Sequence, residues 1–185
     1  MATTWVKKKK GKVIKPNPYT KYEALAARAV LRDCYRSKDR FKRAESVPDI
    51  RLEWVLVITL LRTVGHVLRN IDGSRSVFIK SSIAEAYRLW KTNYKCHGIF
   101  HDFIESERNN LLKEYKIDPS VNKRINNLSD DGDYFLIGTR AFKPLHAITE
   151  AISWWEDQLQ LIENKAEQLY KEDATPALKD IKEIL

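Results

Sequence analysis

"SVPDIRLEWVLVITLLRTVGHVLRNIDG", residues 46–73, decides how this chain folds. Trp54, Val55, Val57, Ile58, Leu60, Leu61, Val64, Val67 and Leu68 recur at steps of three and four and cover most of a helix surface. That pattern predicts a helix buried on most sides. Its start is marked by Ser46 as cap, by Pro48 where a missing N–H costs little, and by Asp49 in the first turn, where the dipole favours an acid. The helix is expected to run to about Asn70 and end at Gly73. One narrow polar line survives on it: Thr59, Arg62, His66 and Arg69.

A central helix of this kind needs others around it, and the chain supplies them. Residues 22–44 predict a helix with Ala27, Val30, Leu31, Cys34 and Phe41 inward and the arginines outward. Ser82 and Glu85 form a capping-box pair that opens a third helix, with Ile83, Ala86, Tyr87, Trp90 and Tyr94 inward, closed or broken at Gly98. A fourth helix is expected over about 99–116. The turn-rich "DPSVNKRINNLSDDGD", 118–133, predicts a loop, and the apolar "YFLIG", 134–138, reads as a strand forming one arm of a hairpin across "DDGD".

Pro144 precedes the last long helix, about 145–171, with Ile148, Ile152, Trp155, Leu159, Ile162 and Leu169 inward and Trp154 at an interface or a partly buried surface. Pro176 is expected to end it, with "ALKDIKEIL" left for a short terminal helix. The fold class expected is therefore all-α, an antiparallel bundle of about five helices with room for one small β-hairpin before the last long helix. The expected organisation is a flexible lysine-rich tail at 1–21, the bundle at 22–172, and a C-terminal tail or short helix at 173–185.

The chain has 185 residues, 43% of them hydrophobic, enough for one domain with a substantial core. The formal net charge of +8 is local: seven lysines precede the first acid, Glu23, and without them 26 basic residues face 25 acidic ones. Such a tail favours weak, salt-sensitive contact with nucleic acid. Within the body, residues 22–46 are basic and 147–185 acidic, as complementary faces of neighbouring helices or subunits would be. Cys34 and Cys96 make no disulfide framework and suit a reducing compartment as half-buried thiols. The N-terminus lacks an apolar h-region, and the longest apolar run, 54–61, is too short to cross a bilayer. The expectation is a soluble, cytoplasmic protein without membrane attachment.

The fourth helix carries the functional clue. In "FIESERNNLLKEY", 103–115, the apolar line through Phe100, Phe103, Ile104, Leu111, Leu112 and Tyr115 is interrupted by Glu107 and Arg108, with Asn109 alongside. Burying a guanidinium without partners is very costly, so Arg108 is expected either to pair with a carboxylate such as Glu107 or to face a cleft. Arg62, His66 and Arg69 are placed to face the same hole and complete an anion pocket, since an arginine fork binds phosphate bidentately.

A helical bundle with "ERN" entering its fourth helix resembles the HEPN superfamily, whose mark is Arg, often followed by Asn, with a His four to six residues on. Arg108 and Asn109 match, while the three positions open to His hold Lys113, Glu114 and Tyr115. By helix order the resemblance covers about residues 22–116. It implies a homodimer that brings two motifs together in one cleft. It also implies an RNA- or nucleotide-interacting role of the defence or toxin–antitoxin kind, needing no metal and no cofactor. In the family, Arg steadies the phosphate and His helps activate a ribose 2′-hydroxyl. Carried over, Arg108, Asn109 and Lys113 occupy the catalytic places, Glu107, Arg62, His66 and Arg69 the binding ones, and the missing His implies weak or absent ribonuclease activity. The alternative is a non-enzymatic structural or interaction bundle whose buried charges set packing and dimerisation; its protein partner is not specified by the sequence.

Other chemistry finds less support. "CHGIFHDFIE", 96–105, spaces His97 and His101 like metal ligands, but Gly98 breaks the continuity and no H-E-x-x-H pattern is present, so no metal is expected. No Gly-rich phosphate loop and no nucleophile motif occurs.

Overall fold

The computed structural model describes residues 24–114, 135–137 and 139–184. The expected lysine tail at 1–21 and loop at 118–133 lie outside them. The fold is all-α. It comprises α1 (Ala26–Arg43), α2 (Val47–Asn70), α3 (Val77–Thr92), a π-helical segment (Ile99–Glu105) leading directly into α4 (Ser106–Glu114), and α5 (Pro144–Ile184). Before α5, β1 (Phe135–Ile137) pairs antiparallel with β2 (Arg140–Phe142), Phe135 opposite Phe142. The described partner of β1 follows it in sequence; the arm expected before it across 130–133 lies outside the described residues. Two intervening residues are enough for an antiparallel pair.

Helix α2 lies at the centre, burying Trp54, Val57, Ile58, Leu61, Val64 and Leu68. Ser46 caps it, its hydroxyl accepting from the Asp49 N–H at 3.2 Å. Its far end differs from expectation: Ile71 is still right-handed helical, and the chain tightens into a 3₁₀ turn at Asp72–Ser74 without a left-handed glycine.

That turn holds α1 in place. Helix α1 has no cap of its own; instead the carboxylate of Asp72, 0% exposed, accepts from the N–H groups of Ala26 at 2.8 Å and Ala27 at 3.0 Å. Arg75 stands 3.4 Å from the same carboxylate and donates to the Ala24 carbonyl. A carboxylate at a helix N-terminus meets two orphan donors and the positive end of the dipole together. At the other end, Arg40 on α1 meets Glu53 on α2 at 2.6 Å, and Ser37 donates to the same Glu53. The start of α1 lies at the end of α2 and the reverse, so the two run antiparallel.

Helix α3 begins five residues before the expected Ser82. Ser76, in extended conformation, caps it by accepting from the Phe78 N–H, and Ser82 is buried inside with its hydroxyl donating to the Phe78 carbonyl. A serine hydroxyl that bonds back to residue i−4 serves a helix interior, not a start. Helix α5 is one element through Pro176, where it was expected to stop; a proline removes one helical hydrogen bond without always ending the helix.

The core between α2, α3, the π segment and α5 is aromatic. Trp90 touches Tyr87, Phe100, Trp154 and Trp155 at ring-centroid distances of 4.4 to 5.5 Å, and its indole N–H donates to Gln158 at 2.6 Å. Trp154, expected at an interface or a partly buried surface, is therefore buried within the chain, 9% exposed. Gly65 lets α2 approach this cluster: a Cβ there would lie 3.0 Å from both the Trp155 ring and the Tyr87 hydroxyl. Among the described residues no helix is long and apolar enough to cross a membrane.

Candidate functional site: the α4 motif and the α2–α3 groove

The charged hole in the fourth helix is real, but Glu107 fills it. Phe100, Phe103, Ile104 and Leu111 are buried, and Glu107 continues their line at 4% exposure, its carboxylate accepting from the Asn110 amide at 3.1 Å. Arg108 falls one residue off the line and is half-buried. No Glu107–Arg108 ion pair forms, so the expectation that the two plug each other is corrected. One turn of helix cannot point two adjacent side chains the same way. Arg108 instead donates to the Asn109 side-chain oxygen at 2.9 Å. Four of its five N–H groups are free of that contact, and among the described residues no carboxylate lies within ion-pair reach of it. Lys113 is exposed.

The polar line of α2 gathers at α3. His66 and Arg69 are exposed, Arg62 is half-buried, and His66 lies beside the Asn70 amide at 3.1 Å. Their neighbour is Tyr87 on α3. Its hydroxyl donates to the Gly65 carbonyl at 3.0 Å, and the Arg69 guanidinium sits 6.0 Å from its ring. Burial pushes the Tyr87 phenol up, Arg62 and Arg69 pull it down, and Glu105 at the end of the π segment adds to the rise. Arg62 and Arg69 thus gather around Tyr87.

Arg69 opens onto a groove of about 510 Å³ between the end of α2 and α3, whose other cations are Lys80 and Lys91. No carboxylate lines it. Lys80 and Lys91 escaped the sequence reading because a helix starting at Ser82 leaves Lys80 outside; with the start at Val77 the two stand three turns apart on one line. Ser76 before "VFIK" was the signal that could have found them.

The histidines of "CHGIFHDFIE" are engaged elsewhere. His97 Nδ1 accepts from the Trp154 indole at 3.2 Å, and burial, with His101 nearby, lowers its pKa. His101 donates through Nε2 to the Trp90 carbonyl at 2.9 Å and keeps Nδ1 3.5 Å from Glu105. Tyr94 donates to Asp102. The His97 ring thus meets α5, and the His101 ring meets α3 and Glu105 of its own segment. Cys34 is buried, its thiol pushed up to about 12 by burial, while Cys96 is exposed. No family model, curated protein or solved structure matches the chain.

Proposed function

We propose that this protein is an RNA- or nucleotide-interacting helical module of the HEPN-like kind, working as a homodimer in defence or toxin–antitoxin settings, that binds phosphate and cuts RNA weakly or not at all. The observation that carries this is Arg108: half-buried, oriented by Asn109, and unneutralised among the described residues, it offers its guanidinium fork to an anion. The lysine at the histidine's place supports binding over cleavage. Lys113, at the histidine's place, is exposed, and lysine serves as a base only where burial strips its charge. Leu52, 64% exposed on α2, and Leu112, equally exposed on α4, offer apolar surface to a second copy.

The test is Arg108→Ala in the full chain, assayed for binding of a labelled RNA, for cleavage, for mass and for melting. Expected are an RNA affinity lowered about tenfold, as loss of one charged phosphate contact allows, unchanged dimer mass, and a melting temperature within a degree or two. Lost stability with unaltered RNA binding would sink the proposal.

The second reading, a structural bundle whose charges set packing, is favoured by one observation: the buried Glu107, like Glu53 and Asp72, spends its carboxylate on groups of its own chain. If it holds, Glu107→Gln lowers stability and the Arg108 variant has no RNA phenotype.

A further inference from the structure

Helix α1 is basic, yet its half-buried Arg28 is answered twice, meeting Glu163 at 2.6 Å and Glu156 at 3.3 Å on α5. The cations of the α2–α3 groove have no such answer. Among the described residues no carboxylate lies within ion-pair reach of Arg69, Lys80 or Lys91, and none lines the space between them. Three cations on one groove with no carboxylate among its lining residues make a positive surface that attracts an anion.

Spacing says which kind of anion. Lys80 and Lys91 are eleven residues apart on α3, about 16 Å along the axis and nearly the same direction around it. Tyr87, beside Arg69, falls between them at about 10 Å from Lys80. A compact di- or triphosphate would meet all three only with both lysine stems drawn in toward the middle of the groove. A chain with phosphates at regular intervals meets them without that. The floor between the cations is Ile83, Ala84 and Tyr87, and the polar side chains of the lining are engaged within the chain: the Tyr87 hydroxyl donates to Gly65, the Ser74 hydroxyl to Ile71, and the Asn70 amide lies beside His66. The volume of about 510 Å³ matches a small-ligand cleft and has no room for a duplex.

We infer that the α2–α3 groove binds the backbone of one RNA strand at successive phosphates, through Arg69, Lys80 and Lys91, without reading sequence. This rests on the RNA-interacting reading above and gives it a second contact surface beside the Arg108 motif. Binding of this type is electrostatic, salt-dependent and sequence-tolerant.

The experiment uses the full chain and a short fluorescein-labelled oligouridylate, followed by anisotropy over about 50 to 200 mM salt. The groove variant is Arg69→Gln/Lys80→Gln/Lys91→Gln. The control, with the same charge change, is Arg32→Gln/Lys42→Gln/Arg43→Gln on the exposed side of α1. The groove variant should bind about tenfold or more weakly and lose about 2 from the salt slope, about 0.7 for each phosphate contact. The control should stay within about twofold. Sodium triphosphate should compete poorly at equal phosphate concentration.

Equal losses in both variants would overturn the groove and leave only overall charge, with the RNA-interacting reading intact. Efficient competition by triphosphate would overturn the extended ligand. No binding by the unaltered chain would remove the reading and the groove together. If circular dichroism shows the triple variant misfolded, Lys91→Glu alone, fully folded, must give the same directional loss.

Discussion

The bundle carries two basic faces that behave differently. On α1, Arg28 is bound by two glutamates of α5, Tyr35 donates to one of them, and the Arg28 guanidinium is held more firmly charged by Glu163 first of all. On the α2–α3 side, Arg69, Lys80 and Lys91 line open space, with no acid in the lining. Net charge treats these faces alike. Geometry separates them, because a cation already hydrogen-bonded to a carboxylate is part of the packing, while one facing solvent beside other cations is available to a ligand.

The hardest blow to this comparison falls at the turn where the two faces meet. Asp72→Ala removes the buried carboxylate that caps α1 and holds Arg75, leaving two backbone donors without their partner. A stability loss of about 2–4 kcal/mol is expected by chemical denaturation. A loss under about 0.5 kcal/mol, the range of an ordinary surface change, would mean that α1 is positioned by its apolar line alone.

A matched pair sharpens the contrast. Arg28→Met should cost about 1 kcal/mol, a modest figure because its partners are partly exposed, and the cost should shrink in high salt. Lys91→Met on the other face should change stability by less than about 0.5 kcal/mol in either direction. Equal costs would erase the distinction between an architectural and an available charge.

The smallest effect concerns a titrating base that has no acid as partner. His97 accepts from Trp154 and its pKa lies below the ordinary histidine value, by burial first and then by His101. The unfolded chain then takes up a proton at higher pH than the folded one, so this contribution to stability is present above about pH 6.5 and is lost as pH falls through that value toward the depressed one. Melting measured from pH 7 to pH 5 should fall less steeply in His97→Gln than in the unaltered chain; parallel curves would show that His97 does not titrate with folding.

Much of this molecule was legible in its sequence wherever a feature is local and periodic. Helix α2, its Ser46 cap and the inward lines of α1 and α5 follow from spacing alone, and the acidic and basic helices were visible as a pair before their contact was. What stayed hidden depends on partners distant in the chain. No local pattern shows that Asp72 caps α1 from 45 positions away, or that Trp154 is covered by Trp90 and Phe100. The candidate site was half visible for the same reason. Arg108, Asn109, Arg62 and Arg69 stood out by type and spacing, but the choice of Glu107 over Arg108 as the buried group, and the entry of Lys80 and Lys91, depend on helix phase and helix start.

The π-helical segment sets that phase. Each of its turns holds more residues than an α-turn, so Ile99–Glu105 acts on α4 as an inserted tooth acts on a gear. Wound instead as an α-helix, at about 100° per residue, the same seven residues would carry everything downstream round to a different face. Glu107 would then leave the buried line that it continues now. Which charge faces the core and which faces outward is therefore fixed by how the seven residues just before α4 are wound, without one letter of "SERNNLLKE" being altered.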